Sequence, residues 1–526
     1  MRFIFLLAWF VFTSQAWANS ERPNVLLVVA DDLGYTDLGS FGGEISTPNL
    51  DAVALSGMRL SNFYTAPTCS PTRAMLMTGA DNHLVGLGSM AEALRPNQRG
   101  EIGYEGYLNH RAAVMPQVFA DAGYRTMMTG KWHLGLDEEH SPSARGFQQT
   151  FALLQGGAGH FSALSVDGQP VTYRKNGEVV ELPENFYSSE FYTNQLIEFI
   201  DSGRESEKPF FAYLAYTAPH WPLQAPDESV SRYKGVYRNG YDDLHEKRIA
   251  SAKKLGVISE VSAPVPRIPG QPSWSELSNE DKKVAEREME IYAAMVDDMD
   301  RHFGRLLDYL KSTGQYDNTI IFFLSDNGAE GSTPNDLFRR FVKHINACCD
   351  NSYENLGKPN SFVFYGPNWA RAAMGGARDF KGSVTEGGIK SAAFVKFSEL
   401  NNPGSVSNRF STVKDVMPTL LQLTGISVPS GFEVPVEGRS IFGSQTAESE
   451  MGWEFMGARS YRKGDWKVVS IPTSQKGDDE FHLYDLVNDP GEQIDVKEQN
   501  PEKFAELVDL WKNYEREKRI VYPKFK

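Results

Sequence analysis

The sequence predicts an α/β protein: a layered sandwich around a large, mostly parallel sheet, followed by a smaller C-terminal α+β domain with an antiparallel sheet. Three observations predict it. Four short, largely apolar runs, 24–30, 125–129, 209–216 and 319–324, are rich in Val, Leu, Ile, Phe and Met, as suits parallel strands covered on both faces. Helical patterns fill the intervals between them, so strands and helices alternate. Beyond about Pro429 the pattern changes to strand-like stretches at 458–471 and 481–486, closed by an amphipathic helical pattern at 501–518.

In chain order, Arg2, the apolar run 3–12 and the small-x-small signal Ala16-Trp17-Ala18 read as a secretory signal peptide over 1–18. The apolar run is too short to span hydrocarbon, and no later stretch is long and apolar enough to do so. The mature chain is expected to start near Asn19 and to work outside the cytoplasm, in the periplasm if the host is Gram-negative. A first domain is expected over 19–428 and the α+β domain over 429–526. The clearest helix, 281–311, sets Tyr292, Met295, Met299, Phe303, Leu306 and Leu310 on one face, which reads as core packing. The proline-dense stretch 262–272 reads as an extended connection. A helix over 410–423 is expected to stop at Gly425.

The 526 residues are 41% hydrophobic and 23% charged, ordinary for a globular chain, with a high aromatic share of 12% for core building. The net charge of −15 disfavours nucleic acid and anionic membrane surfaces as partners. Three cysteines are too few for a disulfide scaffold. Adjacent Cys348 and Cys349 are open to three states: free thiols, a vicinal disulfide or an intermolecular pair. Cys69 is the odd one.

The residues just past each apolar run carry the chemistry. Asp31-Asp32 come after the first, Gly130-Lys131-Trp132-His133 after the second, Ala218-Pro219-His220 after the third, and Ser325-Asp326-Asn327 after the fourth. In open α/β sheets the carboxyl ends of parallel strands share one edge, and ligands bind there. Asp31, Asp32, Asp326 and Asn327 form an all-oxygen set, which selects Ca²⁺ or Mg²⁺ over zinc. A lone Asp after a strand is ordinarily a cap or turn; two acidic pairs at matching ends favour a metal. Pro71 places Cys69 at or just before a helix N-terminus, and Arg73, four residues on, returns to the same face. Helix dipole and guanidinium both favour an anion there, making Cys69 a candidate low-pKa nucleophile.

Cys69-Ser70-Pro71-Thr72-Arg73 matches the C-x-P-x-R signature of type I sulfatases, and Leu76-Met77-Thr78-Gly79 continues that block. Gly130-Lys131-Trp132-His133-Leu134-Gly135 resembles their second signature, and Arg22-Pro23-Asn24 leading into Asp31-Asp32-Leu33-Gly34 resembles their opening strand. The resemblance extends to the run from Tyr461 to Lys467, and the stretches 218–226 and 241–258 look like bacterial arylsulfatases. It implies an alkaline-phosphatase-like fold and a Cys69 oxidised to Cα-formylglycine by a maturation enzyme, a transient partner. It implies that Asp31, Asp32, Asp326 and Asn327 hold the cation, with Asp326 helping to deprotonate the attacking hydroxyl. Arg73 is expected to orient the hydrated aldehyde, and Lys131 and Lys381 to neutralise sulfate oxygens. His220, with Lys381, is the candidate to protonate the leaving alcohol, and His133 to take the proton that releases sulfate. Lys381 is placed by its register with Glu386-Gly387-Gly388, and Glu330 is a candidate supporting group. His83, His110 and His160 are given no role. Tyr35, Phe151 and Trp221 are the aromatic candidates for stacking on a substrate ring. The expected substrates are small-molecule or oligosaccharide sulfate esters, with an arylsulfatase favoured over a carbohydrate sulfatase or a phosphodiesterase or phosphonate monoester hydrolase on the same fold.

Overall fold

The computed structural model describes residues 22–165, 168–333, 339–444 and 449–525. The signal-peptide reading of 1–18 lies outside them. The strands are β1 (Asn24–Ala30), β2 (Met58–Leu60), β3 (Phe63–Tyr64), β4 (Arg125–Lys131), β5 (Gln149–Leu153), β6 (Tyr173–Lys175), β7 (Glu178–Val180), β8 (Phe210–Ala215), β9 (Thr319–Ser325), β10 (Ala393–Lys396), β11 (Val406–Ser407), β12 (Ser411–Thr412), β13 (Glu450–Phe455), β14 (Ala458–Lys463), β15 (Trp466–Ser470) and β16 (Phe481–Asp485).

Ten of them form one sheet in the order β11-β2-β10-β9-β1-β8-β4-β5-β6-β7. The four strands read from apolar runs, β9, β1, β8 and β4, lie side by side at its centre and pair in parallel, and β5 extends the parallel set. Every residue of β1, β8 and β9 is buried, which is why these runs lack polar alternation. Leu26 and Val28 enter one apolar cluster and Val25, Leu27 and Val29 the other, so the sheet is covered on both faces. The helix Asn279–Ser312 lies on the first face and is capped where Ser278 accepts the Asp281 N–H.

A separate sheet, β13-β14-β15-β16, is antiparallel throughout. Met451, Trp453, Val469 and Tyr484 pack into the second core cluster with the helix Cys69–Thr78. Tyr461, Val468 and Leu483, on the other face, pack on Leu507, Trp511 and Tyr514 of the closing helix Pro501–Glu517.

The expected helix 410–423 is shorter: it spans Val416–Leu423. Ser411–Thr412 instead pairs in parallel with β3, and a capping box between Thr412 and Asp415 turns the chain through Val413–Asp415 first. Cys348 and Cys349 form a vicinal disulfide, and Cys69 is free and buried. Among the described residues no helix is long and apolar enough to cross a membrane.

Candidate active site

The parallel strands β1, β8, β4 and β9 end on one edge and deliver their following residues together. Asp31 and Asp32 leave β1, Lys131 ends β4, and Asp326 and Asn327 leave β9. Asp32 takes a left-handed backbone (φ 66°), as does His133 (φ 59°), so the chain turns sharply where both side chains enter the site. The helix Cys69–Thr78 begins at Cys69 itself, with all ten residues buried.

Each carboxylate has a cation against it, and Arg73 and Lys381 each serve two. Lys131 Nζ donates to both oxygens of Asp31 at 2.9 and 2.7 Å. Arg73 donates through Nε and Nη2 to Asp326 Oδ2 at 2.9 and 2.7 Å, and through Nη1 to the Lys131 carbonyl at 2.9 Å. Lys381 Nζ lies 2.8 Å from Asp32 and 3.0 Å from Glu330. Cys69 Sγ is 3.4 Å from Asp31 Oδ1 and 3.8 Å from Asp32 Oδ1. Thus the carboxylate nearest the sulfur is Asp31, and both Asp326 oxygens are engaged as the Asp31 oxygens are, Oδ1 accepting from the Asp32 N–H at 3.2 Å.

This donor set fits a hard divalent cation. Asp31, Asp32, Cys69 and Asp326 each offer a ligand atom within 4.8 Å of the others, all buried. Asn327 donates its amide to Asp32 Oδ1 at 2.7 Å, while its buried Oδ1 has no hydrogen-bond partner. A buried amide oxygen left unpaired is costly, and three carboxylates gathered this closely are costly too unless a cation meets them.

Burial sets most of the site's protonation. It raises Asp31, and lifts Asp32 to about 7 against the pull of Lys381. Burial would raise Asp326 as well, but Arg73, then Lys131 and Lys381, hold it below the usual carboxylate range. Burial drives the Cys69 thiol well above its ordinary value, with Asp326 adding to the rise. This rise, of which burial is the largest cause, runs against the low-pKa thiolate expected at a helix N-terminus.

The two site histidines are neutral and hydrogen-bonded on opposite nitrogens. Burial, then Lys381 and Lys131, pushes His220 well below 6.5. Its Nδ1 lies 2.5 Å from the Trp221 carbonyl, so Nδ1–H donates there, and Nε2 stands 3.5 Å from Asp32. Burial also lowers His133, against the Glu92 carboxylate. Its Nε2 donates to Glu92 at 3.1 Å, leaving a buried Nδ1 without a partner.

A cavity of about 620 Å³ opens over this cluster, with Cys69, His133, His220 and Lys381 in its lining. Lys131 and Arg73 lie behind it, fully buried. Of the three stacking candidates only Trp221 reaches the cavity; Tyr35 and Phe151 are core residues. His83 instead meets Asp81 and Glu454, His160 supports the His220 carbonyl, and His110 lies beside Arg145. Glu92 escaped sequence reasoning: it sits in a single 3-10 turn, Ala91–Ala93, 41 positions before His133, and no motif points to it.

The sulfatase family model matches residues 23–426. The chain belongs to the sulfatase family. This sulfatase is 43% identical to an uncharacterized sulfatase of Schizosaccharomyces pombe, over 96% of this chain and 95% of that protein. It is 41% identical to an arylsulfatase of Klebsiella aerogenes, over 78% of this chain and 88% of that one. Its fold is similar to that of Ps i-CgsB, solved in complex with a neocarrahexaose, with a TM-score of 0.67 at 24% identity, covering 94% and 92% of the two chains. The fold is thus the alkaline-phosphatase-like one of solved sulfatases, and the sulfatase is a sulfuric ester hydrolase.

Proposed function

We propose that this sulfatase hydrolyses sulfate esters of the aryl type, yielding a phenol and sulfate, with residue 69 as nucleophile. The observation that carries the reading is the placement of Cys69 Sγ against Asp31 and Asp32, inside a buried ring of three carboxylates and an unpaired Asn327 oxygen. Asp31, Asp32, Asp326 and Asn327 would hold a divalent cation, Ca²⁺ in preference to Mg²⁺, which when bound supplies a Lewis acid for a sulfate oxygen. Conversion of Cys69 to Cα-formylglycine would supply a hydrated aldehyde whose two hydroxyls respectively attack sulfur and drive sulfate out.

The chain's own groups divide the remaining work. Arg73 fixes Asp326 and the Lys131 backbone, so that both acidic pairs keep their spacing. Lys131 and Lys381 supply positive charge beside the cavity floor, where sulfate oxygens gain charge. Burial is the largest single influence on Lys381 and lowers it, but Asp32, Cys69, Glu330 and Asp31 together outweigh burial and hold it well above its usual value, so it carries a proton at neutral pH. His220 has its proton committed to Trp221. Lys381 therefore protonates the leaving oxygen, and the unprotonated His220 Nε2 can accept a hydrogen bond from the hydroxyl that results. His133, with Nε2–H tied to Glu92, presents Nδ1 as the base that accepts the proton from the second hydroxyl.

The protein acts after export, in the periplasm if its host is Gram-negative. Peptide mass spectrometry around residue 69, combined with sulfate release from 4-nitrophenyl sulfate before and after treatment with a calcium chelator, tests the reading. An aldehyde mass, chelator-sensitive release and slower turnover of the matching phosphate mono- and diesters are expected. Full activity with an intact thiol would remove the mechanism. Faster turnover of a phosphate ester would reassign the substrate, and faster turnover of sugar sulfates would favour the carbohydrate class.

A further inference from the structure

Outside the charged cluster the cavity changes character. Its walls carry Leu87, Met90, Leu136 and Trp221. Leu136 is 55% exposed at the mouth, an arrangement that costs nothing to fold but gains from an apolar ligand. The Trp221 ring lies 4.5 Å from that of His220 and is backed by Phe362 and Phe364 at 5.8 and 5.3 Å, so its face is held in place beside the reacting groups.

The charges in the lining are as informative. Among the described residues, Lys381 is its one lysine or arginine, and that amine is engaged by Asp32 and Glu330. Farther out, the charged group is an anion: Glu92, 46% exposed, on the side of His133. A ligand with a second sulfate or a carboxylate would find no further described cation in this lining, and would meet a carboxylate there. A polyol body would lose hydration against the apolar walls and could recover hydrogen bonds only where the lining carries Gln155, Ser165, Gln169 and Ser332. A volume of about 620 Å³ falls within the range of small-molecule sites.

We propose that this cavity takes the leaving group of a substrate bearing a single sulfate on an uncharged, apolar body, that Met90, Leu136 and Trp221 set this preference, and that Glu92 acts against a second anionic group. The proposal rests on the reading of the cluster as the sulfate-cleaving site. Phenyl sulfates with para-propyl, para-(2-hydroxyethyl) and para-carboxymethyl groups leave as phenols of similar acidity, so differences among them report the cavity. Enzyme of measured aldehyde content at residue 69 is assayed by kcat/KM for the three esters and for a neutral hexose monosulfate, together with Met90→Ser/Leu136→Ser and Glu92→Gln variants. Preference for the propyl ester over the hydroxyethyl ester by about tenfold is expected, the scale of a few methylenes in an apolar pocket. The double variant should erase most of that ratio. The carboxymethyl ester should be the slowest of the three, and Glu92→Gln should narrow its gap to the hydroxyethyl ester, a ratio unaffected by any change in His133 that slows all esters alike. Equal turnover of the three esters, unmoved ratios in the variants, or faster turnover of the hexose sulfate than of the propyl ester overturns the proposal while leaving the sulfatase reading standing. Absence of sulfate release from every ester overturns that reading, and the proposal with it.

Discussion

At the scale of single residues, the site carboxylates are held by three cations, Arg73, Lys131 and Lys381. Replacing Arg73 with Met keeps much of the volume but leaves Asp326 charged, buried and without its bidentate partner. Breaking a buried pair in this way costs about 3–5 kcal/mol, so a chemical denaturation midpoint well below wild type is expected for Arg73→Met. Lys381 sits closer to the cavity and acts on charge that grows during reaction. Lys381→Ala is expected to lower kcat by about 10²–10³-fold, with a smaller change in denaturation midpoint than Arg73→Met, because its amine is at the cavity rather than behind it. Comparing the two variants by kinetics and by denaturation separates support of the site from participation in it.

At the scale of elements, β4 and β8 approach so closely that a side chain at Gly130 has no place. Gly130 has φ of 107°, and a Cβ there would stand 1.8 Å from the Ala215 carbonyl oxygen. Gly130→Ala must therefore move β4 away from β8 and carry Lys131 with it; a loss of about 3 kcal/mol in unfolding free energy and a fall in kcat/KM are expected. The central strands were legible in the sequence because burial on both faces imposes an apolar run, and the residues after them were legible because the strand ends share an edge. The short outer strands β6, β7 and β11 were not, since two or three residues, few of them buried, carry no period. Ser411–Thr412 reads as helix from local pattern, because its pairing with Phe63–Tyr64 is a long-range event that local pattern does not encode. Glu92 was hidden for the same reason: an exposed glutamate is ordinary until the fold brings His133 to it.

At the scale of the whole molecule, the antiparallel sheet is bolted to the larger sheet by buried charges. Lys467 Nζ lies between Glu386 and Glu492 at 2.9 and 2.8 Å, and Trp453 donates to the Thr65 carbonyl at 2.8 Å. His83 sits 2.8 Å from Asp81 and 3.7 Å from Glu454 of β13. Burial alone would lower its pKa, but Asp81, then Glu454, lift it from 6.5 to about 9. A raised folded-state pKa stabilises fully below the unfolded value, so this contribution, at most about 3 kcal/mol, is present below pH 6.5 and lost as pH rises toward 9. The melting temperature should fall across that interval, and fall less in His83→Gln; an identical slope in the variant would place the effect elsewhere. The Trp453 contact also spans 388 positions, and it clasps the loop that leads into Cys69. A ribosome adding roughly 5–20 residues per second needs about 20–80 s to travel that far. Until then the clasp on the stretch that leads into residue 69 cannot close, and once it has closed Cys69, 2% exposed, is approached only by way of the cavity.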